Sequence, residues 1–222
     1  MTSHPESSHR SDRIPPRMDV HAPRKPRFQI QPIDAAGAPR EAAERFIAAA
    51  FLNKHGAQLS GFLPELVGMQ SPGGDLRAVA GYRSAATGPL FLEQYLPGTV
   101  EQNLSARLGA AVPRSHIVEV GNLAGGGCRY VRHLVSQLPH FLLDRGHTWV
   151  VFTATSLVRD ILGSVGANLV ELAVADGGRV AGGPARWGQY YCHDPRVMAG
   201  YLPTSTLLSG HHRNRCCHVT LR

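Results

Sequence analysis

The segment HIVEVGNLAGGGCRYVRHL, residues 116–134, constrains the fold more than any other stretch of the chain. Its first nine residues are rich in β-branched side chains and read as a strand. Three glycines follow, and then apolar residues at helical spacing. A strand that passes through a short glycine turn into a helix belongs to an α/β architecture with mixed α+β character, in which helices cover a central sheet. The helical pattern runs through CRYVRHLVSQLPHFLLDRG to a stop at Gly146, with Pro139 expected to kink or stagger it. WVVFT, residues 149–153, is a continuous apolar run, as a buried central strand requires. SLVRDILGSVG then reads as a helix capped by Thr155 or Ser156, LVELAVA as a strand, DGGRVAGGP as a loop and WGQYY as a last strand.

Upstream, Ala42, Ala43, Phe46, Ile47, Ala50 and Phe51 follow i, i+3, i+4 spacing, and Gly56 supplies a stop. LRAVAGYR alternates as a strand does, and LFLEQYL follows as a second strand, the pair forming a hairpin or meander. The Pro-Gly-Gly at 72–74 marks a turn. Thr99 and Gln102 form a capping box ahead of a short helix, VEQNLSARLG. The expected architecture is a twisted mixed sheet with helices on both faces, spanning residues 41–203. Residues 1–40 are proline-rich and poor in large apolar side chains, so they read as a mostly disordered arm, with RKPRFQIQPI lying against the domain as an extended piece. Residues 204–222 form a basic tail.

The length suits one domain. No run approaches the roughly 18 apolar residues of a membrane span, and the N-terminus lacks the apolar core of a secretory signal. A soluble, cytoplasmic protein is expected. The four cysteines, Cys128, Cys192, Cys216 and Cys217, do not form a disulfide framework, and HHRNRCCH lacks the paired spacing of a zinc site, so no metal is expected. The formal net charge is +7, with much of the excess in the two ends and no nucleic-acid motif between them. Nucleic acid is therefore not expected; an acidic protein or an anionic phosphate would use the same field.

Gly125–Gly127 opens a helix, where close backbone approach and free N–H groups favour a phosphate. The run lacks the third glycine of a dinucleotide fingerprint and the Gly-Lys-Ser/Thr of a P-loop. Cys128 at the helix start reads as small and structural. Alternation along the preceding strand puts Glu119 and Gly121 on one face, and Val118, Val120 and Asn122 on the other. Glu93 interrupts an apolar run and Glu101 opens the next helix. A carboxylate in such surroundings either pairs with an arginine or has a raised pKa, and Arg83 and Arg114 are at hand. Helix N-terminal electrostatics would also account for Glu101. Thr153 and Thr155 end the central strand, where open sheets line ligand crevices. Trp187, Tyr190 and Tyr191 read as core aromatics.

LFLEQYL, Glu101, IVEVGNLA, WVVFTAT and WGQYYCHDPRVMAG together resemble the bacterial thermostable hemolysins, in order, through most of residues 45–200. The layout is also similar to the GNAT acyltransferase fold, especially the acyl-homoserine-lactone and N-acyl-amino-acid synthases. That fold's loop pattern, [QR]-x-x-G-x-[GA], corresponds here to Asn122–Gly127, with Asn122 in place of the usual Gln or Arg. The resemblance implies an acyltransferase that moves a fatty acyl group from an acyl carrier protein or coenzyme A to an amine such as an amino acid. It implies no tightly bound cofactor, only a phosphopantetheine thioester as co-substrate, held by Leu123, Ala124, Gly125, Gly126, Gly127, Cys128 and Arg129. Asn122 and Leu123 would polarise the thioester with their amides, and Glu93, Glu101 or Glu119 would serve the amine. Arg83 or Arg114 would hold a substrate carboxylate, with Tyr95, Thr153 and Thr155 also facing substrate. The strands would splay at Gly125. The family's name implies lysis, by direct membrane action or through a surfactant product, with peripheral membrane contact. A non-catalytic carrier-binding module is the third reading.

Overall fold

A computed structural model describes Met1 and residues 28–181 and 183–203. Seven strands form one sheet: β1 (Ile30–Ile33), β2 (Glu65–Gln70), β3 (Leu76–Ser84), β4 (Ile117–Gly125), β5 (Trp149–Ala154), β6 (Leu169–Val174) and β7 (Arg196–Tyr201). Their order is β1-β2-β3-β4-β5-β7-β6. Every neighbouring pair is antiparallel except β4 and β5, which are parallel. Among the described residues, four α-helices cover the sheet: α1 (Ala38–His55), α2 (Val100–Leu108), α3 (Cys128–Leu143) and α4 (Ser156–Ser164).

Alternation along the strands sorts the core into two faces. Val118, Val120 and Phe152 pack with Tyr130, Leu134 and Leu138 of α3 and with Val158 and Leu162 of α4. Ile117 and Val151 face the other way, toward Val100 and Leu104 of α2. Val79 and Ala124 share that second side with Ala43 and Ile47 of α1. Helices therefore lie on both faces of a mixed sheet, as the sequence predicts.

Several elements depart from expectation. LFLEQYL is no strand: Phe91–Tyr95 is a 3-10 helix. Its first three backbone donors are claimed by carboxylates, Leu90 N–H by Glu93 and Phe91 and Leu92 N–H by Glu119, which removes them from any ladder. The hairpin forms instead between β2 and β3, around the predicted Pro72-Gly73-Gly74 turn. WGQYY is likewise two 3-10 turns, Pro184–Trp187 and Tyr190–His193. Its backbone pairs with the end of α1, Gln189 N–H to His55 O and Gln58 N–H to Arg186 O, both 2.7 Å. The last strand is RVMAGY, inserted between β5 and β6. The sheet also recruits Ile30–Ile33, upstream of the expected boundary at residue 41, which puts part of the anticipated extended piece in register with β2. Helix α3 continues through Pro139 and stops at Leu143, three residues before Gly146. Residues 2–27 of the arm and the tail from 204, including HHRNRCCH, lie outside the described residues.

Candidate functional site

The parallel ladder between β4 and β5 runs from Ile117–Trp149 to Val120–Phe152 and ends there. Strand β4 continues to Gly125 without β5 beside it, so the two strands splay before the glycine loop. A β-bulge follows at once. Val79 pairs with Ala124 and Gly81 with Gly121, so Ala80 faces both Asn122 and Leu123. Asn122 takes the left-handed conformation, φ 51°, that asparagine tolerates better than most residues. Its Oδ1 accepts the Leu63 N–H at 2.8 Å. The inserted residue breaks the predicted alternation: Asn122 Oδ1 lies near Gly81 and Leu63, on the side where Gly121 also faces Leu63.

A cavity of about 910 Å³ opens at this splay, near the upper end of the range for ligand sites. Its walls come from both faces of the sheet. On one side they are apolar, with Val131, Val135 and Leu138 of α3 and Val158, Ile161 and Leu162 of α4. On the other they combine Arg83, Glu119 and His55 with Phe91, Tyr95, Trp187 and Tyr190. Residues 121–128, Thr153 and Thr155 line the passage between them.

Glu119 is 3% exposed. Burial pushes its carboxyl above the ordinary range, against the Phe91 and Leu92 amides, each 2.9 Å away, and the charge of Arg83. Arg83 is its direct cross-strand neighbour and donates to Pro89 O at 3.1 Å. Tyr95 is buried, and its hydroxyl lies 2.7 Å from that of Tyr191; burial and then Tyr191 raise its pKa.

Glu93, Glu101 and Arg114 form a separate cluster that does not line the cavity. Arg114 reaches Glu93 at 2.6 Å and Glu101 at 2.5 Å, and donates to the carbonyls of Ala85 and Gly88 at 2.8 Å. Glu93 also accepts the N–H groups of Leu90 and Val100, capping the start of α2. Burial alone would raise both carboxyls; for Glu93 the Arg114 guanidinium and these amides outweigh it, and for Glu101 backbone bonding and Arg114 do, so both lie below the usual range. The predicted capping box opens α2, with Gln102 Oε1 accepting the Thr99 N–H at 3.2 Å.

The three loop glycines differ. A Cβ at Gly125 would stand 2.5 Å from Val131 Cγ2, so this glycine lets α3 approach β4. Gly127 has φ 155°. Gly126 meets neither demand: its nearest contact for a Cβ is Arg77 O at 3.8 Å. Cys128 and Arg129 follow as the first residues of α3, and their amides have no intrahelical acceptor, whereas the Tyr130 N–H bonds Gly127 O at 3.0 Å. Cys128 lines the cavity, whereas Arg129 lies over the Tyr130 ring, 4.4 Å from its centroid. Thr155 is the N-cap residue of α4, but its side chain makes no cap hydrogen bond, and it is 3% exposed at the cavity wall.

The sequence leaves three contributors undetected. His55, in the last turn of α1, carries no signal in the sequence, yet packs edge-on against Tyr190. Phe91 and Trp187 read as strand and core residues, yet form the wall above Glu119. Among the described residues, no group of three His, Cys, Asp or Glu side chains is placed to hold a metal ion. Among the described residues, no helix is long and apolar enough to cross a membrane.

The family profile described as thermostable hemolysin matches residues 33–206. The chain belongs to the thermostable hemolysin family. No curated protein matches it by sequence. Among solved structures, it is similar to the AHL synthase LasI, with TM-score 0.55 and 14% identity over 82% of this chain and 94% of that one. It is similar to FeeM, an N-acyl amino acid synthase from uncultured soil microbes, with TM-score 0.53 and 15% identity over 81% and 98%. It is also similar to BjaI, a CoA-dependent acyl-homoserine lactone synthase solved with SAM and isopentyl-CoA, with TM-score 0.53 and 11% identity over 82% and 87%. At these identities the likeness is one of fold, which is GNAT-like.

Proposed function

We propose that this protein is an N-acyltransferase that moves a fatty acyl group from a phosphopantetheine thioester to an amine. The observation that carries this reading is the single cavity through the β4/β5 splay, apolar on the α3/α4 side and bearing Glu119 on the other. A fatty chain suits the first lobe and a polar amine the second. Gly126, where a Cβ would meet only Arg77 O, and the Cys128 and Arg129 amides at the start of α3 suit the pantetheine phosphate; the Gly126 N–H itself bonds Arg77 O at 3.0 Å. Beyond Val120, the β4 edge near Asn122 and Leu123 has no β5 partner, and its amides suit the thioester carbonyl oxygen.

In this scheme the amine nitrogen attacks the thioester carbon while Glu119 takes its proton, directly or through water. The C–N bond forms, the C–S bond breaks, and the pantetheine leaves as a thiol after protonation. Arg83, beside Glu119, holds an acceptor carboxylate. Glu93, Glu101 and Arg114 hold residues 85–101 around Glu119 and act by positioning. The formal charge of +7 suits an acidic acyl carrier protein as donor. An N-acylated amine is amphiphilic, which links the chemistry to the lysis in the family's name.

The test is to incubate the protein with long-chain acyl carrier protein or acyl-CoA and a panel of amino acids, and to seek acylated product by mass spectrometry. The expected result is an N-acyl amine with stoichiometric free thiol. No turnover and no thioester binding across the panel would overturn the proposal. Leakage of liposomes by purified protein without substrates would favour direct membrane action instead.

A further inference from the structure

We propose that His55 is a specificity-determining residue that reads a hydroxyl or similar neutral polar group at the end of the acceptor remote from its amine. The inference rests on the acceptor lobe assigned above. A continuous wall of rings leads from Glu119 to His55. Glu119 holds the Phe91 N–H at 2.9 Å. Phe91 lies 5.7 Å from Trp187 between centroids, Trp187 5.4 Å from Tyr190, and Tyr190 5.2 Å from His55. Such a wall suits a flat or apolar body laid between a carboxylate at one end and an imidazole at the other.

Several polar groups along this wall already have a protein partner. Glu119 has its two amides, the Tyr95 and Tyr191 hydroxyls have each other, and Arg83 has Pro89 O. His55 differs in having a fully buried ring nitrogen with no partner. It is 7% exposed and lines the cavity, its Nδ1 is buried without a partner, and neither ring nitrogen has a hydrogen bond among the described residues. A buried polar group left unpaired in the free protein is what a ligand-reading group looks like before its ligand arrives.

The ring is held rather than loose. His55 O accepts the Gln189 N–H at 2.7 Å, and the ring packs edge-on against Tyr190 and His193 and near Phe51. Burial, then Lys54 and His193, lower its pKa to about 4, so it is uncharged at neutral pH. His193 is no partner for it, since its own Nδ1 bonds Gln189 O at 2.6 Å. A neutral imidazole offers one donor and one acceptor, and a hydroxyl can satisfy either.

The experiment compares tyramine with phenethylamine, which differ by one distal hydroxyl, by calorimetric titration of the full chain without thioester. The expected result is about tenfold tighter binding of tyramine, the ratio one added hydrogen bond supplies. His55→Phe should bind both amines equally, and His55→Gln should restore part of the preference. Should His55→Phe fail to fold, the wild-type His55 ring nitrogen resonances must shift with tyramine and not with phenethylamine. Equal binding by the wild type, preference retained in folded His55→Phe, or no binding of either amine at millimolar concentration would overturn the inference. Acyl transfer to an amine without this discrimination would leave the transferase reading standing. Discrimination without transfer to any amine would do the reverse.

Discussion

Replacing Arg114 with methionine separates a structural arginine from a substrate-binding one. The guanidinium bridges Glu93 and Glu101 at 2.6 and 2.5 Å and closes on two carbonyls at 2.8 Å. The three side chains are 25%, 13% and 27% exposed, so the cluster is mostly withdrawn from water. Stranding one member of a buried ion pair costs about 3–5 kcal/mol. The lower end applies here, about 3 kcal/mol, because Glu93 keeps the amides of Leu90 and Val100 and Glu101 can turn to solvent. For a chain of this size, each kcal/mol moves the melting temperature by about 2–4 °C, so the variant should melt about 6–12 °C lower at neutral pH. The pH dependence follows from the depressed pKa values of both glutamates. Their pairing stabilises the fold above the unfolded value, about 4.3, and that contribution is lost as pH falls through the native values. The gap between wild type and Arg114→Met should therefore narrow as pH is lowered below about 4. Differential scanning calorimetry across pH 3–7 measures it. A loss under about 2 °C, or a gap that does not change with pH, would refute the structural role.

Glu119→Gln should lower turnover by about 10²–10⁴-fold, the range for removal of a general base. In wild type, the acid limb of kcat/KM should lie above the free glutamate value because burial raises this carboxyl, and the limb should vanish in the variant, as read from a pH–rate profile. Gly126→Ala should melt within about 1 kcal/mol of wild type, since its φ is not left-handed and its Cβ meets only Arg77 O, at an ordinary contact distance of 3.8 Å. It should nevertheless bind the thioester at least about tenfold more weakly by titration, a loss of about 1.4 kcal/mol. Val158→Phe should shorten the preferred acyl chain, with about fourfold lost for each excluded methylene, as seen in a chain-length series.

The strand–glycine–helix segment, both flanking strands and the helices α1 to α4 are legible because each carries a local signal: regular spacing in β3, α1 and α3, an unbroken apolar run in β5, and cap residues before α2 and α4. LFLEQYL and WGQYY mislead for a common reason. Their apolar content suits a strand, but their backbone partners come from far away: Glu119 for the first and the end of α1 for the second. ELVGMQ and RVMAGY are short and carry glycine, and neither stands out from its surroundings as β4 does. The fate of the glutamates is half legible. Pairing or a raised pKa is the expected alternative, and the structure realises both: Glu93 and Glu101 pair with Arg114, while Glu119 is raised. Which glutamate meets which fate depends on contacts up to 28 residues apart in the chain. Asn122 shows the same limit, because one inserted residue in β4 reverses a face that alternation assigns.

A crystal structure with a non-hydrolysable long-chain acyl-pantetheine thioether tests the central claim most directly. The account predicts the phosphate at Gly126 and the start of α3, the sulfur in the β4/β5 splay, and the chain between α3 and α4 beside Leu138, Val158 and Ile161. A chain seated elsewhere, or a cavity without the ligand at saturating concentration, would contradict it.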